Sequence, residues 1–205
     1  MSASGDGITL NTSAATLLRH GLVFSGNAPS SAVGQTIEIE RLGHQTGWRW
    51  TPTVSTTVAS DGSFSVTWAT NHIGRFSVRA VIAQSSQPHS ASTATAAPTL
   101  TVTVYRSSMA TLYGPGFYGD RTACGQRLTR STVGVASRTL RCGTKVAVLY
   151  RGRTMTVPVI DRGPYANGAD WDLTMATGKA LGVTGTARIG AVSLPRAPSA
   201  TPPGA

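Results

Sequence analysis

The sequence predicts a mainly β protein, with an antiparallel β-sandwich in its first half and a small closed barrel with one short helix in its second. Three observations predict this class. Short segments alternate apolar and polar residues, as strands with one solvated face do. Turn residues recur about every ten positions, and the first half has no 3.6-residue period. Of the 205 residues only 13% are charged, which excludes a coiled coil. No apolar run approaches the roughly 18 residues of a membrane helix.

Four segments of the first half have the alternation of strands. They are residues 36–42 (TIEIERL), 63–68 (SFSVTW, after an Asp-Gly turn), 75–81 (RFSVRAV) and 99–105 (TLTVTVY). Short strands separated by regular turns favour a sandwich of immunoglobulin-like type, although this half has no cysteine pair.

The second half begins with residues 109–113 (MATLY) and a glycine-rich loop. Residues 174–181 are predicted to form the helix, which ends at Gly182 because glycine tolerates the left-handed conformation of a C-cap. Mostly strands and one short helix, in about 90 residues, predict a small closed barrel. The predicted strands after the loop are residues 133–137, 145–150, 153–160 and 187–193.

The domain boundaries follow from these patterns. We expect a sandwich over residues 8–105 and a barrel over residues 106–195, with disordered tails at 1–7 and 196–205. Residues 84–98 (QSSQPHSASTATAAP) are low in complexity and form either a loop before the last strand of the sandwich or part of an interdomain linker.

The charge is concentrated in the second half. The net charge of the chain is +10, and residues 106–205 carry eleven Arg and two Lys against four Asp, a net of +9. Such a surface attracts anions. Nucleic acid is the generic candidate, but no recognition helix or regular basic stripe is present, so we expect no nucleic-acid partner. Anionic cell-wall polymers and a merely solvated surface are the alternatives.

Both cysteines, Cys124 and Cys142, lie in the second half, which contains no histidine. This excludes a zinc site built from Cys and His alone, and no metal or other cofactor is expected. A disulfide is favoured over two free buried thiols, and it would contribute about 3 kcal/mol by closing the loop. A disulfide indicates a secreted protein. Residues 1–5 do not resemble a signal peptide, so we interpret the chain as a trimmed secreted protein, with a leaderless intracellular protein as the alternative.

Asp161 follows the strongest predicted strand of the second half, in the segment DRGPY (161–165). An acid at a strand end, in a loop stiffened by Gly and Pro, is held at one end of a barrel. The same residue types are also those of an ordinary turn. From spacing alone the segment is either an active site or a turn.

Six phrases of the second half, in matching order, resemble the double-psi β-barrels of the rare lipoprotein A (RlpA) type, which are related to the first domain of expansins. The resemblance covers residues 109–193 and not residues 1–105. It implies a six-stranded double-psi β-barrel in a cell-wall protein that acts on peptidoglycan glycan strands, in some members as a lytic transglycosylase. The phrases are YGPGFYG (113–119), TACGQ (122–126), VASRTL (135–140), GTKV (143–146), DRGPY (161–165) and DL (172–173).

One carboxyl group suffices for this chemistry. Ordinary glycosidases need two carboxylates, whereas in a lytic transglycosylase the 6-hydroxyl of muramic acid attacks its own anomeric carbon and no water is needed. A single group can therefore act as acid and then as base if partial burial raises its pKa. We expect Asp161 to be this general acid/base.

Two residues depart from the pattern of active family members. The resemblance implies a Glu at the position of Gln126 and a His at the position of Ser137. An amide cannot transfer a proton, and a serine hydroxyl replaces an imidazole poorly near neutral pH. The alternative function is therefore an expansin-like protein that binds peptidoglycan or another anionic wall polysaccharide without cleaving it.

Other residues complete the predicted site of a monomeric, wall-associated protein. Tyr113 and Tyr165 are expected to stack on sugars, or else to pack in the fold. Arg162 binds a stem-peptide carboxylate or is a solvated charge, and Asp172 either caps or orients the helix or contacts substrate. The predicted substrate-binding residues are Tyr113, Gly114, Gln126, Ser137, Arg162, Tyr165 and Asp172.

Overall fold

The computed structural model describes residues 1–83, 96–165 and 168–196. These residues form two compact units, Met1–Val104 and Tyr105–Arg196. The predicted loop at 84–98 and the predicted tail at 196–205 lie mostly outside the described residues.

The first unit contains two sheets. Strands β1, β2, β4 and β7 form one antiparallel sheet, and β6, β5, β8 and the first part of β9 form the other, with β3 paired to β9. The strands are β1 (Ser2–Gly5), β2 (Ile8–Asn11), β3 (Ala15–Leu17), β4 (Gly21–Asn27), β5 (Thr36–Leu42), β6 (Thr51–Thr57), β7 (Ser63–Ala69), β8 (Gly74–Ile82) and β9 (Thr99–Tyr113). Short 3-10 helices lie at Ser30–Ala32 and His44–Thr46.

Buried side chains from both sheets form one core. Leu10 and Phe24 of one sheet and Ile39, Phe76 and Val104 of the other are fully buried in the same hydrophobic cluster. The predicted sandwich and its four predicted strands are therefore confirmed, because alternate residues of each strand face this core. The immunoglobulin-like type of the sandwich stays a prediction.

The first residues of the chain differ from their prediction as a disordered tail. Residues Ser2–Gly5 form β1 and pair antiparallel with β2, with Ala3 opposite Leu10. The ladder hydrogen bonds to β2 order this segment, although its own side chains are too small and polar to signal a strand.

The second unit is a closed barrel of six strands. In the order β13, β10, β12, β11, β14 and β9, each strand pairs with the next, and β9 pairs back to β13. The pairs β10–β12 and β9–β13 are parallel and the other four are antiparallel. The elements after β9 are β10 (Val135–Ala136), β11 (Lys145–Tyr150), β12 (Arg153–Asp161), β13 (Trp171–Thr174), α1 (Met175–Leu181) and β14 (Ala187–Leu194).

The sequence predicted most of this unit. The expected helix is confirmed as α1, with Gly182 in the left-handed conformation at its C-cap. The cap at its other end is Thr174, whose side chain accepts a hydrogen bond from the amide of Thr177, so the predicted capping role of Asp172 is wrong. The helix α1 has seven residues, and no helix in the described ranges is long and apolar enough to cross a membrane.

Candidate active site

Asp161 is the last residue of β12, at an end of the barrel. Its backbone is fixed by the neighbouring strand and the residue after it: Asp161 pairs in parallel with Ala136 of β10, and its carbonyl accepts a hydrogen bond from the amide of Ser137 at 3.1 Å. This pairing sets the position of the Asp161 backbone.

The carboxylate of Asp161 is held by one of its oxygens. Oδ1 accepts hydrogen bonds from the backbone amides of Ala123 at 2.9 Å and Arg162 at 2.8 Å. In the part of the chain that the structure describes, Oδ2 accepts none. The side chain is half-buried. The arrangement fixes the plane of the carboxylate and leaves one oxygen to meet a ligand.

A second carboxylate lies two strands away. Asp172 of β13 pairs antiparallel with the same Ala136, so Asp161 and Asp172 flank this small, buried residue on either side. The register of the β10–β12 ladder shifts at this point, and each acid's strand lies about 4.8 Å from β10. Asp161 is close enough for its charge to act on the Asp172 carboxyl, and both charges act on Tyr113. The two acids therefore face the same region at an end of the barrel.

The environment of Asp172 favours its protonated form. Partial burial raises the pKa of the Asp172 carboxyl, because the charged form is poorly solvated there. A hydrogen bond of 2.9 Å from the hydroxyl of Thr111 opposes this shift, and the charge of Asp161 adds to it. Asp172 thus holds its proton to higher pH than an exposed Asp does.

Tyr113, at the end of β9, places a hydroxyl beside these acids. Burial raises the pKa of the Tyr113 phenol, and the charges of Asp161 and Asp172 raise it further. Within the described residues its Oη is buried and has no hydrogen-bond partner. A buried hydroxyl without a partner costs free energy, so this group is suited to bind a polar atom of a ligand.

Gly114 follows Tyr113 and has a packing role. Its φ is +155°, and a Cβ at this position would lie 2.8 Å from Tyr118 Oη and 2.9 Å from Met175 Cγ. Only glycine fits at these distances. The close packing fixes the chain directly after Tyr113.

Arg162 and Ser137 contact the backbone of the site. The Arg162 guanidinium donates to the carbonyls of Ser137 at 3.3 Å and Asp161 at 3.4 Å. The Ser137 side chain is buried, and its hydroxyl accepts a hydrogen bond from the amide of Leu140 at 3.2 Å. Both side chains brace the ends of β10 and β12.

The predicted disulfide is present. Cys124 and Cys142 are bonded, with their Cα atoms 5.6 Å apart. The bond ties residues 122–126 to the segment before β11, and the amide that binds Asp161 belongs to Ala123, next to Cys124. Gln126 lies in the same loop with an exposed side chain. The disulfide therefore stabilises a loop that positions the Asp161 carboxylate.

Two aromatic side chains of the unit are exposed. Tyr165 is 81% exposed and Phe117 is 57% exposed. Exposed aromatic faces are costly in water and suit the apolar faces of sugars. Tyr165 was predicted from its motif, whereas Phe117 was not.

The second unit is similar to known proteins. Residues 106–194 match the family model described as lytic transglycolase. Two proteins named as probable endolytic peptidoglycan transglycosylase RlpA are similar to the chain. The protein of Synechocystis sp. is 39% identical over 85 residues, which are 40% of this chain and 26% of that protein. The protein of Aquifex aeolicus is 41% identical over 81 residues, 38% of this chain and 36% of that protein.

The second unit is an RlpA-like double-psi β-barrel. The chain spans only about a quarter to a third of the length of these relatives. Among solved structures, the Streptomyces papain inhibitor is 28% identical, with 43% of this chain and 93% of that chain covered and a TM-score of 0.37.

Sequence reasoning missed two groups of the RlpA-like barrel that contact its acids and one that precedes such a contact in the chain. They are the Ala123 amide on Asp161, the Thr111 hydroxyl on Asp172 and the Thr122 hydroxyl, which is buried without a hydrogen-bond partner among the described residues. The first is a backbone group and carries no side-chain signal. Thr111 could have been found only from the pairing of β9 with β13.

Proposed function

We propose that the barrel acts on the glycan strands of peptidoglycan as a lytic transglycosylase, with Asp161 as the general acid/base. The observation that carries this proposal is the grouping at one end of the barrel of Asp161, Asp172 and the Tyr113 hydroxyl, which has no hydrogen-bond partner among the described residues. Relatives of this barrel are named as probable endolytic peptidoglycan transglycosylases, which supports the substrate and the reaction type.

The reaction needs two proton transfers, one from the carboxyl group to the leaving oxygen and one from the attacking hydroxyl to the carboxylate. A carboxyl group donates its proton to the glycosidic oxygen as the bond from this oxygen to the anomeric carbon of muramic acid breaks. The 6-hydroxyl oxygen of the same sugar bonds to that carbon and gives its proton to the carboxylate, which forms a 1,6-anhydro end without water. Oδ2 of Asp161 is the oxygen available for both transfers, because Oδ1 is held by two amides.

Asp172 and Tyr113 support this reaction electrostatically. Asp172 has a raised pKa, so its carboxyl binds a proton more tightly than an exposed Asp does, and the protons of two neighbouring carboxyl groups belong to the pair. The Tyr113 hydroxyl donates a hydrogen bond to a substrate oxygen placed between the acids. Tyr165 and Phe117 stack on sugar rings to either side.

The setting of this activity is the cell wall, outside the cytoplasm. The disulfide favours an oxidising compartment, and the net charge of +9 on residues 106–205 favours an anionic polymer. The first unit serves as a spacer or anchor, and the protein acts as a monomer without a cofactor.

Binding without cleavage is the second candidate function. Gln126 is exposed and unable to transfer a proton, the Ser137 hydroxyl is already bonded to the Leu140 amide, and residues 106–205 contain no histidine. These observations favour an expansin-like protein that holds a glycan strand and leaves it intact.

A product assay separates the two functions. We expect purified peptidoglycan incubated with the protein to yield 1,6-anhydro-muropeptides, detected by mass spectrometry, and Asp161→Asn to abolish them. Asp120→Asn, which neutralises an exposed acid of the same unit, is the matched control and should leave the yield unchanged. Co-sedimentation with sacculi without product would establish the binding function, and neither product nor co-sedimentation would refute both.

A further inference from the structure

Two arginines lie opposite each other in the loop of residues 120–128, which contains the Ala123 amide that binds Asp161. Arg121 and Arg127 form an antiparallel bridge, and two backbone hydrogen bonds of 2.8 Å join residues 120–122 to residues 126–128 on either side of it. This is the non-hydrogen-bonded type of cross-strand pair, in which the side chains are closest. The loop therefore places the two arginines directly opposite each other, with their side chains leaving the backbone on the same face.

The charges of this pair are uncompensated. Arg121 donates to the carbonyl of Gly125 at 2.8 Å, and neither arginine has an ion pair with a carboxylate in the described ranges. Both side chains are exposed. The nearest acid in sequence, Asp120, precedes Arg121, and adjacent residues of an extended segment point to opposite faces. Like charges directly opposite each other destabilise a pair of strands, so a binding role explains the pair better than a folding role.

The pair is rigidly connected to the acid of the site. Between the two arginines lie Ala123, whose amide binds Asp161 Oδ1, and Cys124, which is bonded to Cys142. A polymer that passes Asp161 therefore passes this loop.

We propose that Arg121 and Arg127 together bind a carboxylate substituent of the wall polymer, while its glycan backbone lies at Asp161. The guanidinium fork matches the two oxygens of a carboxylate, and one carboxylate between the two cations relieves their repulsion. Lactyl and stem-peptide carboxylates are the anions that peptidoglycan itself carries. This inference rests on the proposed function, since it names the group that the site would recognise on that polymer.

The test measures binding of the full chain to sacculi from which phosphate polymers have been removed by acid. We expect Arg121→Gln with Arg127→Gln to weaken binding about tenfold at low salt, and the wild-type advantage to shrink as salt rises. Arg153→Gln with Arg188→Gln is the matched control, because it removes the same charge from exposed residues of the β12 and β14 strands. This control should bind nearly as the wild type does.

Two further binding measurements identify the chemical group that the two arginines bind. Amidation of the carboxyl groups of the sacculi should abolish the difference between the wild type and the Arg121/Arg127 variant. The variant with Lys at both positions keeps the charge but loses the forks, so its binding should lie between those of the wild type and the Gln variant. A Gln variant that binds stripped sacculi as tightly as the wild type refutes the carboxylate site, even if it binds phosphate-containing walls less tightly.

Weaker binding of the Gln variant can be distinguished from misfolding of that variant and from failure of the proposed function. Because a like-charge pair is removed, the melting temperature of the Gln variant should be no lower than that of the wild type, and a lower one would contradict a binding role. If the wild type itself does not bind sacculi, the proposed function fails. If the wild type binds and the variant binds equally, only the arginine site fails.

Discussion

At the residue scale, the pair of acids flanking Ala136 is the feature with the clearest physical consequences. The sequence pointed to Asp161 because its motif follows a strand, and the structure adds what no motif carries: the amide of Ala123 on one oxygen and Asp172 across β10. Asp172 was expected to cap or orient a helix or to contact substrate, and its position beside Asp161 depends on the antiparallel pairing of β10 with β13. Such long-range pairing cannot be deduced from local sequence.

The raised pKa of Asp172 predicts a pH-dependent stability. A carboxyl whose pKa is higher in the folded state binds its proton more tightly there, so stability falls as pH rises from the ordinary pKa toward the folded one. At neutral pH this loss of stability applies to the wild type, whereas the neutral amide of Asp172→Asn does not titrate and avoids it. The amide oxygen of the variant can still accept the hydrogen bond from the Thr111 hydroxyl. We expect the variant to melt at higher temperature than the wild type at pH 7 and at nearly the same temperature at pH 3. An equal difference at both pH values would contradict the burial of this carboxyl.

The Tyr113 hydroxyl predicts opposite effects on stability and function. Tyr113→Phe removes a buried hydroxyl that has no partner in the described residues, so unfolding free energy should rise by about 1 kcal/mol or stay unchanged. Product formation should fall about tenfold, since a hydrogen bond to the substrate is lost. Tyr150→Phe, on β11, is the control and should change neither quantity. A loss of stability in Tyr113→Phe, measured by denaturant unfolding, would show that the hydroxyl has a structural partner.

At the element scale, the predictable strands were those with a complete apolar alternation. Strands β5, β7, β8, β11 and β12 matched their predicted ranges within one or two residues. The two-residue β10 lies inside the predicted strand 133–137, which was too long, and the four-residue β13 was not predicted. Strands this short give too few positions for the periodicity to be recognised. These short strands bring the acids together, so the site was less predictable than the barrel around it.

The disulfide predicts a link between redox state and the site. Reduction, or replacement of both Cys124 and Cys142 by Ala, should lower the unfolding free energy by about 3 kcal/mol through loop entropy. It should also lower product formation, because the amide of Ala123 is then held less firmly against Asp161. Thermal melts and product assays with and without reductant provide the measurement. The Ala variant is the control, since added reductant should not change it further, and full activity of that variant would show that the loop keeps its place unaided.

At the scale of the whole molecule, each unit has its own hydrophobic core. Every residue of the first cluster lies between Ile8 and Val104, and every residue of the second lies between Ala110 and Ala191. The concentration of charge in the second half follows the same division. The sequence indicated both divisions through composition alone, whereas the closure of the barrel by β9 and β13 needed the three-dimensional structure.

The separate cores predict that the second unit folds by itself. A fragment of residues 105–196 keeps all six barrel strands, the disulfide and both acids, and about 90 residues with their own core suffice for a stable domain. We expect a cooperative calorimetric transition from this fragment under oxidising conditions, and the same 1,6-anhydro products as from the full chain. Residues 1–104 serve as the control and should fold without forming product. The strand β9 is continuous from Thr99 to Tyr113, so a fragment starting at residue 105 truncates it. A second fragment starting at residue 99 tests whether a failure to fold comes from this truncation or from loss of the first unit. If neither fragment shows a transition, the barrel needs the first unit for its stability and the two are not independent domains.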